Sequence, residues 1–379
     1  MGKKVQKASC IFGANYMLEQ VNQLKGEIMG ALALDDIEYI HRLRVASRRL
    51  RNGLGLFRDC LSAKKFQSYQ ENIRQITKAL GKARDLDIQI ECVDQKYDLL
   101  SDARFKPGYG RLLLRLKQQR IKAQQKVAQT LNQLQETQIL EKIQSQLTAM
   151  TSGTENMYLF TPSLYKRSFN TINDRLEDFL SYQAYVYQPE KKEKLHAMRI
   201  SGKHLRYTME IFAPIYKESL SPYIQFMKEL QDQLGAIHDA DVWVSWLPLF
   251  ITKEQKRIED YFGNSGPLKR LIPGFEHLIE DRQKARELEY QSFLATWENL
   301  QAEQAWKSLR EILQTPINVE AALSHLASDV EVAPGYPEEE FEVDEDQTES
   351  DFEVNSGDSP HGSEKINPTP DPSTQNLET

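Results

Sequence analysis

The segment "HRLRVASRRLRNGLGLF" from His41 returns as "HAMRISGKHLRYTMEIF" from His196, an offset of 155. His41, Arg44, Arg48, Arg49, Leu50, Arg51 and Phe57 meet His196, Arg199, Lys203, His204, Leu205, Arg206 and Phe212. A second pair, "LGKARDLD" from Leu80 and "LGAIHDAD" from Leu234, follows at an offset of 154. A weaker third pair sets Arg120-x-Lys122-Ala123 against Arg282-x-Lys284-Ala285 at 162, a slip that a loop of different length would cause. Motifs that recur in order at nearly constant spacing mark a repeated structural unit, so the chain is expected to hold two copies of one unit of about 150 residues each.

The unit reads as helical. The chain is 40% hydrophobic and 27% charged, with long stretches free of Gly and Pro and no alternating β-rich run, which points to an all-α fold. In the first copy helices are expected near 14–31 and around His41. A third, "AKKFQSYQENIRQITKALG", would stop at Gly81 as a C-cap; a fourth would begin near Asp85, and a long one would run from about Gly108 to Met150. "TSGTENMYLFTPS" would join the copies. The second would repeat the order over about 164–313, punctuated at Pro214, Gly235, Pro248, "GNSGP" and the "PG" near 273. The expected organisation is one folded region over 10–315, with copies over 10–150 and 164–313, followed by a tail over 316–379.

The net charge of −7 hides a division. From Glu331 to Thr379, fifteen Asp or Glu stand against Lys365 alone, a charge of −14 that leaves +7 on residues 1–330. Poor in aliphatics and rich in proline, that tail is expected to be disordered. It reads as a solubilising extension, a decoy for a basic site, or a contact for a protein partner.

Positions i, i+3, i+7 and i+10 of a helix share one face. His41, Arg44, Arg48 and Arg51 have that spacing, as do His196, Arg199, Lys203 and Arg206. Almost opposite run the apolar lines Leu43, Leu50, Phe57 and Met198, Leu205, Phe212. No carboxylate lies between His41 and Arg58 to pair with the cations, so an ordinary solvated face would be left with self-repulsion. Arginine forks, lysine and imidazole together suit phosphate oxygens. Glu210, four residues after Arg206, is expected to orient it. Asp85, Asp87, Asp239 and Asp241 are expected to cap a helix start or hold an arginine.

Cys10, Cys60 and Cys92 are scattered and never form C-x-x-C, which reads as three reduced buried thiols in a cytosolic protein rather than a disulfide frame or a zinc site. Arg84-Asp85 stands where the second copy has His238-Asp239. Arginine does not ligate metals, so no metal and no cofactor are expected. There is no Walker A, no G-x-G-x-x-G and no nucleophile-and-base signature, hence no catalytic residue is assigned. No apolar run of membrane-spanning length appears, and the expected location is the cytoplasm.

The two H-x-x-R-x-x-x-[RK]-x-x-R helices at His41 and His196, "LRYTMEIF", and the two LG-x-x-[RH]-D-x-D segments resemble the conserved histidine α-helical domain family, CHAD, over roughly 10–315. The resemblance implies two four-helix bundles related by a pseudo-twofold, lining a basic groove or pore that binds inorganic polyphosphate. By motif position it implies His41, Arg44, Arg48, Arg51, His196, Arg199, Lys203 and Arg206 as ligands. Arg49, Arg74, Lys82, Arg84, Arg120, Lys122, His204, Lys228, Arg282 and Lys284 are secondary candidates. His204 in place of Arg49 and His238 in place of Arg84 depart from the pattern between copies. Some relatives carry an N-terminal triphosphatase barrel, for which this sequence shows no E-x-E-x-K.

The resulting expectation is a non-catalytic polyphosphate binder, recruited to polyphosphate granules. Two rivals remain: a phosphohydrolase or triphosphatase-related enzyme or its accessory subunit, and a nucleic-acid or nucleoid-binding module. The second is disfavoured because the aromatic residues fall mostly on apolar stripes instead of among the basic residues.

Overall fold

A computed structural model of the protein describes residues 2–33, 36–153 and 160–325. Among these residues there is no strand. The acidic tail lies outside them, although the chain continues as helix to His325, past the expected start of that tail at 316.

The helices are α1 (Gly2–Ala33), α2 (Ile37–Leu56), α3 (Ala63–Asp98), α4 (Lys106–Thr137) and α5 (Ile139–Thr151), then α6 (Pro162–Leu180), α7 (Lys192–Tyr216), α8 (Ser221–Phe262), α9 (Ile272–Ala302) and α10 (Ala305–His325). Their packing follows one scheme twice. In the first half α1 lies against α2 and α5, α2 against α3, and α3 against α4; in the second α6 lies against α7 and α10, α7 against α8, and α8 against α9. The halves meet where α2 touches α7, α1 touches α6 and α4 touches α9.

Local chemistry explains most boundaries. Asp36 caps α2, its Oδ1 accepting from the Glu38 backbone N–H at 3.0 Å, which satisfies one of the donors a helix start leaves open. Among the described residues the first half has five helices, but the expected third and fourth are a single helix, α3. Gln138 and Gln304 adopt left-handed backbone at φ 52° and 53°, and the first divides the long helix expected over 108–150 into α4 and α5.

Other expected breaks are corrected. The helix does not stop at Gly81: α3 runs straight through it, and α8 runs through both Gly235 and Pro248. Pro214 likewise sits inside α7. Each glycine lies beside an arginine of a cationic helix: a Cβ on Gly81 would stand 3.7 Å from Arg44 Nε and one on Gly235 3.7 Å from Arg199 Nε, both ordinary contact distances. Pro in a helix interior costs about 3 kcal/mol. Burial of the neighbouring Leu247 and Phe250 offsets this at about 1.5–3 kcal/mol each.

The apolar lines expected under the cationic faces are the core. Leu43, Leu50, Phe57, Met198, Leu205 and Phe212 are all fully buried. Phe57 and Phe212 meet edge to face at the seam between halves, with ring centroids 6.1 Å apart. Phe12 of α1 stacks on Phe212 at 6.1 Å, while Arg167 of α6 lies 4.9 Å over Phe57. Each half thus covers the other's phenylalanine.

Charges also cross the seam. Glu254 on α8 is fully buried and accepts from Arg115 of α4 at 2.9 and 3.0 Å, with Arg111 of α4 and Arg257 of its own helix each at 3.2 Å. Lys96 of α3 reaches Asp281 of α9 at 2.8 Å, so in both ties the first half supplies the cation and the second half the carboxylate. At the α4–α9 contact the backbones themselves touch. A Cβ on Gly108 would fall 2.4 Å from the Leu271 carbonyl oxygen and 2.9 Å from Gly274 Cα; one on Gly274 would fall 2.3 Å from the Phe105 oxygen.

The cysteine reading is corrected as well. Cys10 and Cys60 form a disulfide, with Cα atoms 5.4 Å apart, and only Cys92 is free among the described residues. Spacing in sequence could not reveal this, because the short turn Arg58–Cys60 after α2 brings Cys60 back against α1. The thiol argument for a reducing compartment therefore no longer covers this pair.

Gly108→Ala is expected to lower stability by about 1–3 kcal/mol, the usual cost of forcing extra volume into a packed contact. Gly110→Ala, whose Cβ would meet nothing within 4 Å, serves as the control in urea unfolding.

Candidate functional site

The cationic faces of α2 and α7 come together where the two helices pack. At the crossing Glu210 of α7 accepts from Arg206 of its own helix at 2.8 Å and from Arg49 of α2 at 3.3 Å. Glu210 thus touches Arg206, which it is expected to orient, and also an arginine from the other half. Arg206 Nε also donates to Gln231 Oε1 of α8 at 2.6 Å. Tyr207 lies between arginines of both halves, its ring centroid 5.3 Å from the Arg48 guanidinium carbon and 4.7 Å from that of Arg206. Such contacts hold planar guanidinium groups in place without consuming all of their donors.

Toward the other ends of α2 and α7, the LG-x-x-[RH]-D-x-D segments of α3 and α8 lie alongside. Arg44 Nη2 is 3.9 Å from Asp85. Arg84 is half-buried, with Nη1 3.6 Å from Glu38. In the second half the His196 and His238 rings lie 4.0 Å apart between centroids. The position occupied by Arg84 in one half and His238 in the other thus borders the first histidine of each cationic helix. Burial pushes the His41 imidazole below its ordinary pKa, and the positive charges of Arg84, Arg44 and Arg42 push it further down against the opposing pull of Glu38.

The second aspartate of each segment is committed elsewhere. Asp87 holds Arg120 of α4 at 2.6 Å. Asp241 takes Arg286 of α9 and Lys192 at the start of α7, both at 2.7 Å. Since all these aspartates lie inside α3 and α8, none caps a helix start. Four residues beyond Arg120 and Arg286, Gln124 donates to the Ala31 carbonyl at 3.0 Å and Tyr290 to the Val186 carbonyl at 2.7 Å. Arg282 pairs with Asp281 at 2.6 Å and approaches the Cys92 sulfur at 3.7 Å.

The remaining secondary candidates are peripheral. Arg74 is exposed and pairs with Glu71 at 3.0 Å, and Lys82, Lys122, Lys228 and Lys284 are exposed. Arg48, Arg51, Lys203 and His204 are half-buried on the two faces. Tyr207 and Gln231 were missed. Tyr207 had a signal, lying three residues from both His204 and Glu210 and hence on their side of the helix; Gln231 had none. Clefts of about 600 Å3 beside α6 and α10 and about 200 Å3 at the α3–α4 turn are lined by other residues.

The protein is all-α among its described residues, with two arginine-rich helices that touch across the halves and acid-bearing helices beside them. A family model for the CHAD domain matches residues 15–248, and the chain belongs to the CHAD family. The crystal structure of the CHAD domain from the plant Ricinus communis is similar, at 19% identity and a TM-score of 0.53, covering 82% of this chain and 91% of that one. PptA from Streptomyces chartreusis is similar at 15% identity and a TM-score of 0.51, covering 76% of this chain and 98% of that one. At these identities the likeness is one of fold. No curated protein matches this chain in sequence. Among the described residues no helix is long and apolar enough to cross a membrane.

Arg120→Met is expected to cost about 3–5 kcal/mol, because it strands the buried Asp87 carboxylate. Arg286→Met should cost clearly less, since Lys192 still serves Asp241. Denaturant midpoints of the two variants check the difference.

Proposed function

We propose that this protein binds inorganic polyphosphate across the cationic faces of α2 and α7 and does not catalyse its turnover. The observation that carries the reading is the crossing itself, where Arg48, Arg49 and Arg206 from both halves are held around Tyr207 and Glu210. A chain of phosphates is the anion for which an extended row of preset guanidinium forks is suited. Flanking carboxylates keep the forks oriented, so little ordering is left to be done on binding. We read the two halves as copies of one unit. The contacts of Gly108 with Gly274, Phe12 with Phe212 and Arg167 with Phe57 support that reading. His41, Arg44, Arg48, Arg51, His196, Arg199, Lys203 and Arg206 are the ligands in this proposal. Recruitment to polyphosphate granules is part of it.

The test is a titration of long-chain polyphosphate, short oligophosphates and duplex DNA at one fixed salt concentration, with phosphate release followed alongside. Preference for long polyphosphate is expected; tighter DNA binding, or metal-dependent phosphate release, would overturn the reading.

The Arg44→Ala/Arg199→Ala double variant is expected to bind polyphosphate at least tenfold more weakly with unchanged helicity. Hydrogen bonds to charged groups contribute about 1.5–3 kcal/mol each, and the apolar undersides are untouched. Affinity should also fall steeply with salt, as counterion release requires.

Affinity is expected to rise as pH falls from about 8 toward 6, around the ordinary histidine value of about 6.5. In the empty site burial and the neighbouring cations hold the His41 imidazole below its ordinary pKa. A bound polyanion reverses that field and raises the imidazole pKa, so binding takes up protons. Calorimetry in buffers of different ionisation enthalpy reads this uptake directly. An uptake that is zero, or that persists in His41→Gln/His196→Gln, removes the histidines from the coupling and leaves the arginines standing.

A further inference from the structure

The short turn Arg58–Cys60 that closes α2 is tied from two directions. From the second half, Arg167 donates to the two carboxylate oxygens of Asp59 at 2.9 and 2.7 Å, and also to the Leu56 carbonyl. Burial works to raise the Asp59 carboxyl, and the hydrogen bonds and charge of Arg167 outweigh it and hold the group below the ordinary aspartate range. From the first half, Cys60 is bonded to Cys10 of α1. Between the two ties lies Phe57, fully buried at the seam against Phe12 and Phe212. The same helix carries Arg48 to Tyr207 and Arg49 to Glu210 of α7.

We propose that the Cys10–Cys60 bond is a reversible thiol–disulfide lock on this turn, and that reducing it loosens the α2–α7 crossing and weakens polyanion binding. Both residues are half-buried rather than enclosed, so a small thiol reaches the sulfurs. The Arg167–Asp59 tie keeps the turn seated when the bond is open, so the two thiols remain close enough to pair again. The reductant is a dithiol. Its thiolate attacks one Sγ, the Sγ–Sγ bond breaks to a mixed disulfide, and its second thiol displaces the protein sulfur. Two electrons and two protons pass to the protein, leaving two cysteine thiols and a cyclic oxidised reductant. Cys92, which burial holds in the thiol form beside Arg282, takes no part. The effect on binding rests on the polyphosphate reading, whereas the lock itself does not.

The test uses the full-length protein in three states: isolated, reduced with dithiothreitol, and reoxidised. Alkylation mass shifts count the thiols, hydrogen exchange follows residues 53–61, and a long-chain polyphosphate titration gives affinity. Reduction is expected to add two alkylated cysteines, speed exchange in that segment, and weaken binding by about threefold or more through lost preorganisation, with all three changes reversed on reoxidation. Cys10→Ser/Cys60→Ser should match the reduced protein in any buffer, and Cys92→Ser should keep the response. A bond that resists the dithiol, or exchange that ignores the redox state, overturns the lock. Equal affinity of the two states despite faster exchange overturns the link to binding. Failure of every state to bind polyphosphate, with redox-dependent exchange intact, would overturn the function reading and leave the lock.

Discussion

Two arginine-rich helices packed side by side are the constraint on which this architecture depends. Like charges about 4 Å apart repel by about 4 kcal/mol in the effective dielectric near a protein surface, and α2 and α7 bring such charges together. Their undersides, Leu43, Leu50 and Phe57 on α2 and Met198, Leu205 and Phe212 on α7, are fully buried, and apolar burial is an attraction that does not depend on charge. Carboxylates supply the rest. Glu210 is shared between Arg206 and Arg49, and Asp85 lies near Arg44.

The halves solve the same problem with unequal means. Asp87 has one close arginine, whereas Asp241 has an arginine and a lysine on the same oxygen. Arg84 borders one helix histidine, and His238 stacks on the other. Tyr207 and Glu210 have Asn52 and Gly55 at the matching places in α2. The two helices thus differ in the side chains that surround their arginines.

Much of this was legible in the sequence. The helical spacing of His41, Arg44, Arg48 and Arg51 defines a face whatever the tertiary packing, and the opposite apolar line had to be buried. What the sequence hid were the features set by a distant partner. Gly81, Gly235 and Pro248 look like breaks in isolation, yet they lie within continuous helices because burial on either side outweighs the local cost. Arg282 and Lys284 resemble Arg120 and Lys122 in kind, yet it is Arg286 that holds Asp241 while Arg120 holds Asp87, pairings between helices that no local pattern encodes. The Cys10–Cys60 bond depends on a turn whose path no local pattern encodes.

Gly108 and Gly274 touch through backbone alone. Most packed pairs can trade volume, a loss on one side making room for a gain on the other. This pair cannot, because glycine is already the smallest residue and there is nothing smaller to retreat to. The two positions therefore share one fate. A side chain acquired at either must push the helices apart, and a compensating change can come only from moving the backbone of α4 or α9.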